Sequence, residues 1–138
     1  MEPDDTRLQD TRAWLLKAEL DLRAATHEMS APAAGLRGDV MFHSQQAAEK
    51  AMKAFLAWHD VPFRKTHNLE ELGQQCVSLN AMLASVSDQA APLSEYAWKF
   101  RYPGEAAEPE RAEAEAALAA AWSVYDAILA RLPREARP

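Results

Sequence analysis

Cysteine is nearly missing from this chain. Cys76 stands alone among 138 residues, which excludes an internal disulfide and a cysteine-rich zinc site. Glycine is scarce, at 4 residues, and β-branched runs are few, so the composition turns away from sheet and toward helix. No apolar run is long enough to span a bilayer, and no membrane partner is expected. The N-terminus carries Glu2, Asp4 and Asp5 and lacks an apolar core segment, so no signal peptide is expected and the protein is read as cytoplasmic. An excess of positive charge is lacking too. The formal charge of −6 disfavours non-specific binding to nucleic acid or anionic membrane, although a local basic patch stays open.

What is present is ordinary globular composition, 49% hydrophobic and 26% charged. At this length one domain, 1–138, with a core of its own is expected. Leu8, Leu15, Leu22 and Met29 recur every seven residues, with Ala18 and Ala25 between them. That is a packing stripe, and it predicts a first helix from residue 4 or 5 to 29. Pro32 and Gly35 break it. A second helix is predicted over 37–60, with Met41, Ala48, Met52, Phe55 and Trp58 in one narrow sector. His43, Gln46, Lys50 and Lys53 fall on the far side, within roughly 80° of each other at the helical period. This polar stripe is expected either to meet a ligand or simply to be wet, with Glu49 and Lys53 paired at i,i+4.

Val61-Pro62-Phe63 forces an extended turn. Asn68 followed by Glu71 has capping-box spacing for a third helix over 68–79, with Leu69, Leu72, Cys76 and Leu79 as its apolar face. Cys76 is therefore expected to be a small core residue. A fourth helix is predicted over 88–100, with Pro92 in its first turn or kinking it, and Tyr102-Pro103-Gly104 ends it. Pro109 opens a fifth helix that runs to 132 on Leu118, Trp122, Tyr125, Leu129 and Leu132, with an alanine-rich flank suited to close approach. Residues 133–138 are expected to fray. The fold expected is all-α, an antiparallel up-and-down four-helix bundle with a short additional helix.

Three segments then resemble, in order and spacing, the HEPN domain family. The first is Phe42-His43-Ser44-Gln45-Gln46-Ala47-Ala48-Glu49-Lys50-Ala51-Met52-Lys53, which resembles the family's signature helix. Thr66-His67-Asn68-Leu69 resembles its threonine–histidine element, and Phe100-Arg101-Tyr102-Pro103 its arginine–tyrosine–proline element. The resemblance implies a helical bundle similar to the substrate-binding domain of some nucleotidyltransferases. It also implies a homodimer and a separately encoded minimal nucleotidyltransferase as partner, often in a toxin–antitoxin pair. Many members are metal-independent RNases that use an arginine and a histidine with four to six residues between them.

That RNase pair is broken in this chain. Arg101 matches the family arginine, but the positions where the histidine belongs hold Ala106, Ala107 and Glu108. Neither alanine titrates, and the glutamate would set negative charge beside a phosphate. Arg37 and His43 have five residues between them but sit at the start of the second helix, and a chance match explains them best. The reading is therefore a nucleotide-binding or nucleotidyltransferase-partner subunit without RNase activity, with Gln46, Lys50, Lys53, His67, Arg101 and Tyr102 as binding residues. The enzyme alternative is an RNase toxin that uses Arg101 with a displaced histidine, His43 or His67. A third reading is a purely structural interaction bundle whose polar stripe is solvated, and for Arg101 itself the alternative to a phosphate contact is pairing with a buried carboxylate such as Glu49. No two histidines stand at i,i+4 on a helix with a carboxylate partner, so no metal is expected, and no cofactor. Trp14, Trp58, Trp98 and Trp122 are candidates for a dimer interface.

Overall fold

The computed structural model describes residues 3–31, 35–104 and 107–138. It is all-helical, with no strand among the described residues. Five α-helices follow in order among these residues: α1 (Pro3–Ser30), α2 (Arg37–Trp58), α3 (Leu69–Leu79), α4 (Ala84–Ala90) and α5 (Arg111–Leu129). Short 3₁₀ segments occupy Ala81–Leu83, Ala91–Ala97 and Arg134–Ala136.

The arrangement is organised around α2. It packs along α1 and α5, and α3 and the Ala91–Ala97 segment cover its remaining sides. Its buried residues run from Val40 to Leu56 and point in nearly every direction, polar ones included. A helix enclosed on all sides loses the division between a core face and a wet face. The expected sector is buried at Met41, Ala48, Met52 and Phe55, with Trp58 half-buried. Met41, Met52 and Phe55, the fully buried large side chains of this sector, each contribute about 1.5–3 kcal/mol relative to exposure. The polar stripe is not simply wet, because Glu49 and Lys53 are buried as well.

α1 contributes Leu15, Ala18, Leu22 and Ala25, all fully buried, as its heptad spacing predicts. On α5 the buried face is rotated from the expected one. Ala114, Ala117, Ala121, Val124, Tyr125 and Ile128 face inward, while Leu118, Trp122 and Leu129 lie at the flank, half-buried. Alanine lets the helix backbones approach, so the small residues take the contact line and the large ones close its edges.

α2 ends without glycine. Asp60 adopts φ +56°, and Asp60 N–H donates to Ala57 O (3.1 Å) while Val61 N–H donates to Leu56 O (2.9 Å). This pair of bonds satisfies the last carbonyls of α2 and turns the chain into the extended Val61–Phe63 stretch. α3 starts at the expected cap, with Asn68 Oδ1 accepting from the amides of Glu70 (3.0 Å) and Glu71 (3.2 Å). Glu71 does not complete the box. Its carboxylate takes the Arg64 guanidinium, and Asn68 N–H donates to Thr66 Oγ1 (3.0 Å) instead. Leu79 is 40% exposed and does not join the buried face of α3.

Two expectations need correction. The helix expected over 88–100 is split into α4 and the 3₁₀ segment Ala91–Ala97, because Pro92 offers no N–H to continue an α-helical ladder. The tail expected to fray over 133–138 forms a 3₁₀ turn with Ala136 fully buried. It is tied down by Arg12, which donates to Glu135 O, and by Arg137, which donates to Leu129 O (3.3 Å). No helix among the described residues is long and apolar enough to cross a membrane.

Candidate functional site

Gln45, Glu49 and Lys53 stand at i, i+4 and i+8 on α2, and their side chains meet inside the protein. Glu49 Oε1 accepts from Gln45 Nε2 (3.0 Å) and from His67 Nδ1 (2.7 Å), and Oε2 accepts from Lys53 Nζ (3.0 Å). Gln45 Nε2 also donates to His67 O (3.2 Å), and Gln46 Nε2 donates to Gln45 Oε1 (2.7 Å). Burial alone would push the Glu49 carboxyl up, but the hydrogen bonds from His67, Gln45 and Lys53 together with the Lys53 charge outweigh it and hold the group below its usual value. Glu49 is therefore an anion at neutral pH.

The partner ammonium is equally enclosed. Lys53 Nζ lies 5.5 Å from the Trp14 ring centroid and 5.7 Å from that of Phe63, and the two rings meet edge to face at 6.1 Å. A carboxylate on one side and two aromatic faces on the other replace the water this cation gives up. Lys53 is thus a bracing residue inside the fold and presents no ammonium to a ligand at the surface.

The rest of the polar stripe is largely engaged in the same way. Lys50 Nζ meets Asp21 of α1 at 2.6 Å, and His43 Nδ1 meets Glu28 of α1 at 2.7 Å. Both are partly buried pairs between α1 and α2. Gln46 is half-buried against Gln45. The Arg37–His43 pair is not assembled as a unit: Arg37 donates to Pro109 O (3.4 Å), and His43 is committed to Glu28.

His67 differs from these. Its Nδ1 is held by a buried carboxylate, yet its side chain is 65% exposed. An ionised carboxylate only accepts, so Nδ1 carries the proton and Nε2 is left facing outward. The ring lines an open cavity of about 430 Å³ with Thr66, Asn68, Ser94, Glu95 and Trp98. A carboxylate-oriented histidine at a cavity can hold a hydroxyl or phosphate oxygen, or exchange a proton with it.

Arg101 is exposed and does not pair with Glu49, whose oxygens are taken by Gln45, His67 and Lys53. Its guanidinium carbon lies 4.0 Å over the centroid of the Phe42 ring, a cation–π contact that holds the guanidinium group at the surface. Tyr102 beside it is 62% exposed. The segment is set in place by Phe100, which packs against Gly38 in the first turn of α2 so closely that a Cβ there would lie 2.9 Å from Phe100 Cβ.

Phe42, Gln45 and Glu49 lie on adjoining turns of one side of α2. Arg101 docks on the first of them and His67 on the other two, so residues from two segments outside α2 come to the same side of it. Of the residues singled out from the sequence, Arg101, Tyr102 and His67 remain exposed, whereas Gln46, Lys50, Lys53 and His43 are drawn into contacts within the fold. Gln45 was not among them, and Trp98 was read only as a candidate for a dimer interface. Gln45 was legible as the residue one turn before Glu49, but the exposure of Trp98, at 54%, depends on how the 3₁₀ segment ends. No group of three potential metal ligands comes together among the described residues.

A family model of the HEPN domain matches residues 11–132. No curated protein and no solved structure matches the chain at a significant level.

Proposed function

Because this chain belongs to the HEPN domain family, a superfamily of nucleotide-binding and RNase type, we propose that it is a nucleotide-binding subunit without RNase activity of its own. Its setting would be an antiparallel four-helix bundle in a homodimer, working with a minimal nucleotidyltransferase as one half of a toxin–antitoxin pair. The observation that supports this reading is the fate of the polar residues. The lysines of α2 are committed to carboxylates within the fold, while Arg101 and His67 stay exposed on one side of α2 and Tyr102, next to Arg101 in the chain, is exposed as well. An exposed, stacked arginine is suited to fork onto phosphate, and an exposed tyrosine offers a ring and a hydroxyl. Lys50 and Gln46 act in this reading by holding α2 to its neighbours.

The test is calorimetry with nucleoside triphosphates on the wild-type protein and on Arg101→Ala. Binding that Arg101→Ala weakens by about tenfold, as expected for a charge-assisted bidentate contact, supports the reading. Undetectable binding by the wild type would overturn it. Co-purification with a nucleotidyltransferase encoded beside it tests the partner, and light scattering tests the dimer.

A second reading has one observation in its favour. Glu49 orients His67 as a base would be oriented, on the same side of α2 as Arg101, so an RNase site could be built from Arg101 and His67 in place of the broken pair. RNA cleavage by the purified protein, lost in both Arg101→Ala and His67→Ala, would establish it. Cleavage that survives either substitution would exclude it.

A further inference from the structure

We propose that the cavity between the Thr66–Asn68 turn and the Ala91–Trp98 segment is a nucleobase site with a preference for guanine. This rests on the nucleotide-binding reading above and goes beyond it by naming the base. Trp98 is the first element. It is 54% exposed, and it lines the cavity. An exposed indole face is a stacking platform for any base.

Glu95 is the second element. Trp98 N–H donates to Glu95 O (3.2 Å), which closes the last turn of the segment and keeps the two residues together. The carboxylate and the indole both line the cavity. Guanine presents two adjacent donors, N1–H and N2–H₂, which a carboxylate can accept as a pair. Adenine presents one donor beside an acceptor, and that acceptor would repel the carboxylate. Lys99 Nζ sits on Glu95 Oε1 at 3.1 Å, but both side chains are well exposed, and such a pair is easily shared with a ligand.

The opposite wall is rigid. Ser94 Oγ accepts from Leu69 N–H (2.9 Å) and donates to Ala91 O (2.9 Å), Asn68 caps α3, and Glu49 holds His67. His67 Nε2 is then the group on that wall that reaches a ribose hydroxyl or phosphate. A free guanine nucleotide and a guanosine within single-stranded RNA offer the same chemistry.

The experiment is a titration of the whole chain with 5′-GMP, 5′-AMP and short single-stranded RNAs with and without guanine, read by calorimetry. Wild type, Trp98→Ala, Glu95→Gln and Arg101→Ala are compared, with circular dichroism to show that each is folded. GMP is expected to bind at least about fivefold more tightly than AMP, the lower end for a bidentate base contact. Trp98→Ala should weaken both by about fivefold or more, the lower end for loss of one stacked base. Glu95→Gln should abolish the advantage of GMP over AMP, because an amide no longer accepts both guanine donors and no longer repels the adenine acceptor. An advantage of guanine-containing RNA over GMP would mark RNA as the source, and the reverse would mark the free nucleotide. Equal binding of GMP and AMP by the wild type would overturn the guanine preference, and binding unaffected by Trp98→Ala would overturn the site. If Arg101→Ala alone abolishes binding, the nucleotide-binding reading stands and this cavity falls. If no nucleotide or RNA binds the wild type, both fall.

Discussion

Nδ1 of His67 lies 2.7 Å from Oε1 of Glu49, so a histidine whose side chain is two-thirds exposed is held by a carboxylate that is almost fully buried. One end of this contact belongs to the core and the other to the surface. The loop 61–68 is thereby fastened to α2 at a polar point, and the orientation of the His67 ring is decided by packing beneath it.

Removing either charge of the buried pair should be severe. Glu49→Ala leaves the Lys53 ammonium enclosed by Trp14 and Phe63 without its anion and is expected to cost about 3–5 kcal/mol. The double variant Glu49→Leu with Lys53→Met should recover much of that loss, because a buried pair replaced by apolar groups of similar volume is often neutral. Urea unfolding of the three proteins checks this, and a double variant no better than Glu49→Ala would show that the loss does not come from the stranded ammonium.

The same carboxylate sets a pH dependence. Its folded-state value lies below the ordinary 4.5, so the unfolded chain takes up the proton first as pH falls. The stabilisation from ionised Glu49 is complete above 4.5 and is lost as pH falls through the lowered folded-state value. Glu49→Gln cannot make this titration, and its stability should fall less steeply than the wild type's as pH drops from 4.5 toward that lowered value. Thermal melts of both proteins between neutral and acid pH decide the point; parallel curves would exclude Glu49 as a source of the acid sensitivity.

Gly38→Ala should displace the arginine segment. The new Cβ would sit 2.9 Å from Phe100 Cβ, an atom next to the backbone that cannot swing aside as a chain tip could. Overpacking of this kind costs about 1–3 kcal/mol. The Phe100 backbone should move away from α2 and take Arg101 off the Phe42 ring. Chemical-shift changes centred on Phe42 and residues 98–102, with small effects at α3, are expected.

Asp60→Gly should stabilise the protein by about 0.5–1 kcal/mol, since glycine reaches a positive φ without the steric cost a side chain carries. The bonds from Asp60 and Val61 to the end of α2 use backbone only and survive the change. A lower melting temperature would mean that the Asp60 side chain contributes more than its backbone strain costs.

Burial pushes the Cys76 thiol up to about 12, and its Sγ lies 3.7 Å from Met52 O in the core. A thiol reagent at neutral pH should therefore modify the native protein far more slowly than the protein in denaturant. Equal rates would place Cys76 in contact with solvent.

Patterns of local origin were readable from the sequence. The heptad of α1, the Asn68 cap and the core role of Cys76 depend on residues a few positions apart, and the structure contains them. The rotated face of α5 was half readable: the alanine-rich flank marked a line of close approach, but hydrophobic size pointed to Leu118 and Trp122 as the core face, and packing selects Ala117 and Ala121 instead. The packed tail was hidden for a related reason. Nothing within 133–138 shows that Arg12, more than a hundred residues earlier, holds it.

The amino-acid order by itself determined the helical class, the three HEPN-like segments and the break in the arginine–histidine pair, since each is a matter of residue type at a fixed spacing. Only the tertiary structure decided which polar residues are available to a ligand. Burial of Lys53 requires α1 and the 61–68 loop to close over α2, and exposure of His67 requires Glu49 to hold it from below. Whether a charge faces water or another charge depends on neighbours that arrive from distant parts of the chain, and no local pattern carries that information.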